Sequence, residues 1–388
     1  MKLILNGRFL NRPVTGVERL AIELTRSMRN LIRQAGAPDI TVAVPPSVGA
    51  ESASIAALGA PRAGAHVVGR GGGHAWEQLH LGRTMPDAWL LSLCNTGPAL
   101  RSRQALVICD AQFVLHPQSY SRAFRWWYRV LLTILSRRAA AVFTISEFSR
   151  AALERHRVVP PGKAHVLRLG VDHLERVESD SATIERLGLA PRGYILAIGS
   201  LARHKNLVTL IDAYIAAGLQ DVTLVVAGGG NQRVFRDAGL RTAPNIRYLG
   251  RVSDAEIKAL YEHALAFACP SLSEGFGFTP LEAMAAGCPV IATTGGAVPE
   301  VCGDAALYAD PNDQIAWQDA LRRLSEDSEL RAELSRRSLA RAGLFRWSDT
   351  ARQMLMILAR KDGDPLQASL SVDEEAGNFT DQQAVRLT

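Results

Sequence analysis

Two carboxylates, Glu274 and Glu282, bracket the run Glu-Gly-Phe-Gly-Phe-Thr-Pro-Leu-Glu. Between them stand Gly275, Phe276, Gly277 and Phe278, then Thr279-Pro280 at a helix start. Glycines let a backbone come close to a ligand, and a helix N-terminus presents unpaired N–H groups that favour anions. Carboxylates on either side can orient hydroxyl groups. These residue types together suit a site for a nucleotide-linked sugar. The same residues also carry a plain structural reading. Thr279-Pro280-Leu281-Glu282 is a capping box, with Thr279 as N-cap, Pro280 in first position and Glu282 reaching back. Glu282 alone could therefore be structural. Capping accounts for neither Glu274 nor the Gly-Phe-Gly run before the helix.

Cationic candidates lie upstream. Arg203 and Lys205 follow an apolar strand-like run over 194–198 and precede a helical one, the place where parallel sheets take their ligands. Lysine meets phosphate as a point charge and arginine as a planar fork, although either could be a solvated loop charge. Gly228-Gly229-Gly230 closes another strand-like run, where a nucleotide could approach or a turn could simply bend. Arg251 follows a third. Gly16 opens a helical pattern after Pro13-Val14-Thr15, as a ligand loop or as an ordinary helix start.

Such residues need strands to hold them. Strand patterns occur at 2–6, 41–44, 89–93, 105–109 and 141–145, with a helical one over 16–33. A second series has strands at 194–198, 222–227, 246–249, 265–269 and 288–293, with helices at 207–217 and 254–264. Helices are expected over 317–324, 329–341 and 345–359. This alternation predicts α/β architecture with parallel sheets. At 388 residues the chain exceeds what one core usually supports, so two domains are expected. Pro160-Pro161-Gly162 and the polar stretch 175–183 mark the passage between them. The stretch 361–388 is polar and acidic and reads as a disordered tail.

Composition narrows the classes. Hydrophobic content of 47% indicates a well-buried protein, and no run of about 18 apolar residues suggests a membrane span. The N-terminus is too short and too soon polar for a signal peptide. Five cysteines without CxxC spacing suggest a reduced, cytoplasmic protein and no zinc site. Residues 1–180 carry 23 Lys and Arg against 13 Asp and Glu, whereas 181–360 carry 19 of each. The basic excess therefore belongs to the N-terminal half. Within it, 120–138 reads as an amphipathic helix with Arg122, Arg125 and Arg129 on one face and Phe124, Trp127, Tyr128, Leu131 and Leu135 on the other. Such a helix either docks on an anionic membrane or packs on its own sheet with arginines in solvent.

The chain resembles the retaining glycosyltransferases of family 4, the mannosyltransferase-like group with GT-B architecture. The resemblance rests on the Glu-x7-Glu signature at Glu274 and Glu282, and on Gly287-Cys-Pro-Val-Ile-Ala, Gly295-Gly296-Ala-Val-Pro-Glu300, Gly199-Ser-Leu-Ala-Arg203-His-Lys205-Asn206, Ala309-Asp-Pro-Asn312 and Gly16-Val-Glu-Arg. It covers most of 1–360, with tighter motifs in the second half. It implies two Rossmann-like β/α/β domains facing each other across a cleft. These would be an acceptor-binding domain over 1–180, a nucleotide-sugar-binding domain over 181–344, and a helix over 345–360 crossing back to the first.

The resemblance also implies roles. Lys205 and Arg203 would hold the donor diphosphate, with Ser200 standing where relatives often have arginine. Glu274 would bind donor-sugar hydroxyls and Glu282 the ribose. Gly16, Gly228, Arg251, Gly275, Phe276, Gly277 and Phe278 would complete the donor site. Relatives often have His-Asp where this chain has Cys109-Asp110. Asp110 keeps its place near the reacting centre. A thiol cannot copy imidazole as a proton carrier at neutral pH without a strongly perturbed pKa. Either that residue is dispensable, or His116 replaces it, or activity is reduced. No divalent metal, cofactor or nucleic-acid partner is implied.

The function implied is transfer of a hexose, mannose first, from a GDP- or UDP-linked donor. The acceptor would be a glycan or a polyprenyl-diphosphate-linked oligosaccharide, in cell-surface polysaccharide biosynthesis such as that of lipopolysaccharide. The enzyme would be cytoplasmic, or peripheral on the inner face of the cell membrane. Two alternatives share the scaffold: a nucleotide-sugar epimerase or hydrolase, and a sugar-nucleotide-binding protein with degraded catalysis.

Overall fold

A computed structural model describes residues 1–48, 53–59, 64–228, 240–241 and 243–370. The chain divides into two compact units. One comprises Met1–Val114, Arg122–Gly170 and the chain from Arg346 onward, the other Leu115–Ser121 and Val171–Phe345. The breaks at Gly170/Val171 and Phe345/Arg346 differ from the expected ones near 180 and 344, and the short excursion of Leu115–Ser121 was not expected.

The first unit holds a seven-stranded sheet: β1 (Leu3–Asn6), β2 (Thr41–Val44), β3 (Ala65–Val67), β4 (Trp89–Ser92), β5 (Gln104–Val107), β6 (Ala141–Thr144) and β7 (Ala164–Val166). Their order is β3-β2-β1-β4-β5-β6-β7, and every pairing is parallel. Every residue of β1, β4, β5 and β6 is buried, as expected where crossover helices cover both faces. The helix Gly16–Gln34 buries Leu20, Ala21, Leu24, Met28 and Leu31. Its start is fixed by Glu18, whose carboxylate accepts the Thr15 N–H at 3.2 Å. The helix Trp347–Asp362 packs on it with Met354, Leu355 and Leu358 fully buried.

Order extends past 360, contrary to the expected tail. Asp362 completes that helix, Gly363 turns the chain in the left-handed region, and Leu366 and Leu370 are buried. Apolar side chains at 366 and 370 supply the burial that a disordered segment lacks. Residues 371–388 lie outside the described residues.

The second unit holds β8 (Tyr194–Ile198), β9 (Thr223–Ala227), β10 (Ile246–Gly250), β11 (Ala266–Cys269), β12 (Val290–Thr293) and β13 (Ala306–Ala309). This sheet is also parallel throughout, in the order β10-β9-β8-β11-β12-β13. Ile195, Ala197, Leu224, Val226 and Ile291 pack against Leu210, Ile211 and Tyr214 of the helix Leu207–Ala217 and Trp317 and Leu321 of Gln314–Glu326. Trp317 is fully buried, and its Nε1–H is satisfied by the Asp310 carbonyl at 3.0 Å. In each sheet the strand order reverses beside the first strand, between β1 and β4 and between β8 and β11. Such reversals open a crevice beyond the carboxyl ends of the strands, where ligands bind in parallel sheets.

Candidate functional site

In the second unit the chain leaves β8 at Ile198 and makes a short 3-10 turn, Arg203–Lys205. Asn206 ends that turn in the left-handed region, φ 54°. Its side-chain amide donates to the carbonyls of Pro270 (3.0 Å) and Pro311 (2.7 Å), and its Oδ1 accepts from Thr209 Oγ1 (2.8 Å). One side chain thus ties the turn to the segments beyond β11 and β13. A backbone bond from Leu272 N to His204 O (2.7 Å) adds a second tie.

The segment beyond β11 carries Ser271, Ser273 and Glu274, and Glu274 forms an isolated parallel bridge with Gly296. Gly296 has φ 72°, and a Cβ there would overlap the backbone N and O of Glu274. Only glycine permits so close an approach. The outcome is an ion pair, Lys205 Nζ to Glu274 Oε1 at 2.7 Å, with Ser271 Oγ donating to the same oxygen at 2.5 Å. The two side chains are 25% and 16% exposed. Among the described residues no hydrogen bond reaches Glu274 Oε2. Burial pushes the Glu274 pKa up. The Lys205 charge and the hydrogen bonds from Lys205 and Ser271 outweigh it, so the net direction is down and the group is ionised at neutral pH. The site therefore offers a fixed ammonium and a carboxylate with one oxygen open, beyond β8 and β11 where the strand order reverses.

The capping box does not form. The helix is Phe278–Ala285 with Gly277 as N-cap at φ 102°, so Thr279 lies inside the first turn. Gly277 lets the backbone enter the helix earlier than a Thr279 cap would. Glu282 is engaged sideways: His173 Nε2 lies 3.3 Å from Oε1, and Tyr261 Oη donates to Oε2 at 3.4 Å. Phe276 is buried against Phe278 and Phe345, with ring centroids at 5.9 and 6.1 Å. Its ring anchors the loop in the core. Gly275 is buried beside it, and Phe278 is half-buried. Gly228 N donates to Gly250 O (2.7 Å) and Gly199 N to Ala227 O (3.0 Å), which brings together the ends of β8, β9 and β10. Ser200, Arg203 and Arg251 are exposed on this side. Gly229 and Gly230 lie outside the described residues.

Three residues at this site were not expected there, Ser119, His204 and Ser273, and they meet His116, which the resemblance offered only as a replacement for the missing family histidine. His116 Nε2 lies 2.7 Å from Ser273 Oγ, and His204 Nδ1 lies 3.2 Å from Ser119 Oγ. The two rings stack at 5.6 Å. His204 was legible only as the neighbour of Lys205, and nothing local in sequence joins it to His116.

Gly16, Cys109 and Asp110 belong to the first unit. Gly16 is the exposed first residue of its helix, with open space where a Cβ would sit. Cys109 is 2% exposed. Burial, then the Asp110 charge, pushes its thiol pKa well above the usual value, so it stays protonated and is no base at neutral pH. Asp110 Oδ1 accepts from Gln112 N at 3.0 Å. The sequence does contain an Asp-x-Asp, Asp362-Gly363-Asp364, and both carboxylates are engaged, by Arg103 and by the chain N-terminus. Among the described residues no group of three His, Cys, Asp or Glu side chains could hold a metal ion. None of the described helices is long and apolar enough to cross a membrane.

The helix Arg122–Arg138 departs from the expected face. Leu132 and Leu135 are buried, and Tyr128 packs edge-on to Phe113 at 4.9 Å. The outward apolar stripe is Trp126, Val130 and Ile134, spaced four apart, with Phe124 and Trp127 beside it. Trp126 is 71% exposed.

Two parallel doubly wound sheets, with a charged pair beyond the carboxyl ends in the second, define a protein of two Rossmann-like units. Residues 183–341 match the family described as Glycosyl transferases group 1. It is 33% identical over 227 residues to the O-antigen chain mannosyltransferase B of Escherichia coli, covering 56% of this chain and 60% of that protein. It is 29% identical over 245 residues to the O-antigen chain mannosyltransferase RfbU of Salmonella typhimurium, covering 60% and 63%. The matched stretch thus spans less than two thirds of either relative. Among solved structures, Anabaena Alr3699/HepE in complex with UDP and glucose superposes with TM-score 0.72 at 19% identity, over 93% of this chain and 100% of that one. WaaG, a glycosyltransferase involved in lipopolysaccharide biosynthesis, superposes with TM-score 0.62 at 16% identity, over 92% and 99%. The fold is GT-B.

Proposed function

We propose that the chain is a retaining glycosyltransferase that moves a hexose from a nucleotide sugar to a glycan or lipid-linked acceptor in cell-surface polysaccharide assembly. The observation that carries this reading is the Lys205–Glu274 pair with its open carboxylate oxygen. The ammonium meets the donor diphosphate, and Glu274 Oε2 accepts from sugar hydroxyls. Transfer breaks the bond between the sugar's anomeric carbon and the phosphate oxygen. The acceptor oxygen bonds to that carbon on the same face, and its proton passes to the departing phosphate. The protein contributes positioning and charge stabilisation, with Lys205 and Arg203 opposite the charge that develops on the diphosphate. Mannose is the sugar best supported, by the two O-antigen mannosyltransferases, with a GDP- or UDP-linked donor. Glu282, already held by His173 and Tyr261, serves the ribose through whichever oxygen exchanges its partner.

A thermal-shift panel of nucleotide sugars tests donor binding, since a ligand of the folded state raises Tm by linkage. Transfer to a lipid extract then distinguishes the enzyme from its alternatives. The buried, protonated Cys109 favours one of them, a donor-binding protein with degraded catalysis. Tight donor binding with no product in that assay would establish it.

The exposed stripe of Arg122–Arg138 supports a membrane partner. Trp126, Val130 and Ile134 lie among the exposed Arg122, Arg129, Arg137 and Arg138, and the helix carries no acid. Interfacial aromatics with arginines suit an anionic leaflet. Flotation with phosphatidylglycerol-containing vesicles at low salt is expected and should weaken in Trp126→Glu. Indifference to those vesicles removes the partner.

A further inference from the structure

Each member of the Lys205–Glu274 pair is preceded in sequence by a residue held from one outside segment. Ser273 precedes Glu274 and lies 2.7 Å from His116 Nε2. His204 precedes Lys205, and its ring stacks on that of His116 at 5.6 Å and 24°. The same segment returns a second contact to His204 through Ser119 Oγ at 3.2 Å. Leu115–Ser121 belongs to the second unit although the chain on both sides belongs to the first, and its turn Pro117–Ser119 packs on Arg203–Lys205. The loop is closed by Leu272 N donating to His204 O at 2.7 Å.

We infer that His116 is a positioning residue of this site, fixing the separation of Lys205 and Glu274 by holding Ser273 with its Nε2 and His204 with its ring face. The inference rests on the donor-site reading above and adds a residue that the Glu-x7-Glu signature does not include. The arrangement needs neutral rings, since two imidazolium ions would repel at this spacing. Burial lowers the pKa of both. The charged groups facing them are Lys205, which lowers that of His204, and Glu274, which opposes the shift in both rings. A neutral imidazole can donate to or accept from the Ser273 hydroxyl, so the bond survives either tautomer.

His116→Ala, His116→Gln and Ser273→Ala test the role. The amide nitrogen of glutamine reaches about where Nε2 sits and keeps the bond to Ser273, but it cannot stack. His116→Ala is expected to raise the donor KM about tenfold, the worth of one well-placed hydrogen bond. His116→Gln should recover at least half of that loss on a logarithmic scale. Ser273→Ala should reproduce the His116→Ala rise, and it serves if His116→Ala fails to fold. A residue that only stabilises the fold would lower Tm in all three variants and leave KM unmoved. Donor KM within twofold of the wild type in both His116→Ala and Ser273→Ala overturns the inference and leaves the donor-site reading intact. A wild-type protein that no nucleotide sugar stabilises overturns that reading, and the role of His116 toward a donor with it.

Discussion

Two ion pairs follow the first strand of a sheet, one in each unit, and they are finished differently. Beyond β1, Glu77 is met by Asn6 Nδ2 (2.7 Å), Arg8 Nε (3.2 Å), Thr96 Oγ1 (3.3 Å) and His74 Nδ1 (3.2 Å). Arg8 Nη2 also donates to Thr96 Oγ1 at 2.6 Å. The Arg8 and Glu77 side chains are 7% and 0% exposed. Beyond β8, Lys205 and Ser271 crowd onto one oxygen of Glu274 and leave the other open. A buried network with every partner supplied fixes the backbone around it. A partly exposed pair with an open acceptor is poised to take a ligand. The same chemical pair, acid and base beside the first strand, is thus a structural clamp in one unit and a candidate site in the other.

The strongest way to break this comparison is to remove an acid from each pair. Glu77→Ala leaves the Arg8 guanidinium buried without its carboxylate, which should cost about 3–5 kcal/mol of stability. Glu274→Ala leaves Lys205 partly solvated, so its stability cost should stay within about 1 kcal/mol. Urea unfolding of both variants decides. Equal losses would show that the two pairs are alike after all.

Function should divide the other way. Glu274→Gln keeps the size of the side chain and removes the charge, and it is expected to lower transfer by roughly 100-fold, the scale of a lost transition-state contact. Glu77→Gln, assayed below its own melting range, should stay within about threefold of the wild type. Radiolabelled transfer from donor to lipid extract gives both numbers. Gly296→Ala tests the approach that builds the site. A methyl group at φ 72° against the Glu274 backbone should cost about 1–3 kcal/mol. Because it displaces Glu274, it should also lower transfer. An alanine variant of native stability would mean that the bridge to Glu274 can open freely.

The second unit was the more legible in sequence, and the reasons are physical. The strand Tyr194–Ile198 and the helix Leu207–Ala217 coincide with their expected ranges because an apolar run and a helical period sit between clear turn residues. Lys205 and Glu274 could be picked by residue type at strand ends. The strands that escaped, β3, β7 and β13, are edge strands of three or four residues, and β3 is partly exposed. Short edges carry little alternation or continuous apolarity to detect. The clamp beyond β1 escaped as well, since Asn6, Glu77 and Thr96 are distant in sequence and none belongs to a recurring spacing. His116 and His204 meet only because Leu115–Ser121 leaves one unit for the other, and no periodicity encodes that. Thr279 misled for the opposite reason: its local pattern was a good cap, but Gly277 offered an earlier turn into the helix.

Acid sharpens the comparison by the smallest margin, because the histidines beside the second pair take up protons in a window that the acid of the first does not share. Burial, together with the Lys205 charge, holds the His204 pKa down to about 4, against an ordinary value of 6.5. Between those values the unfolded chain binds a proton that the folded chain refuses, so stability falls as pH drops from 6.5 toward 4. The stabilisation is complete above 6.5, and His116 shifts in the same direction. Burial of Glu77 pushes its pKa up, but the hydrogen bond from His74 and the charge of Arg8 outweigh it and leave it below the ordinary 4.5. Its stabilisation is present above 4.5 and is lost as pH falls below that. Urea midpoints of the wild type should therefore begin to decline below pH 6.5 and decline further below 4.5. A His116→Gln, His204→Gln double variant should reduce the first decline and keep the second, whereas Glu77→Gln should keep the first and only lessen the second, to which the lowered Glu274 also contributes. If the double variant keeps the full decline between pH 6.5 and 4.5, the stacked imidazoles are not held neutral, and the site beyond β8 is more open to water than its ring packing implies.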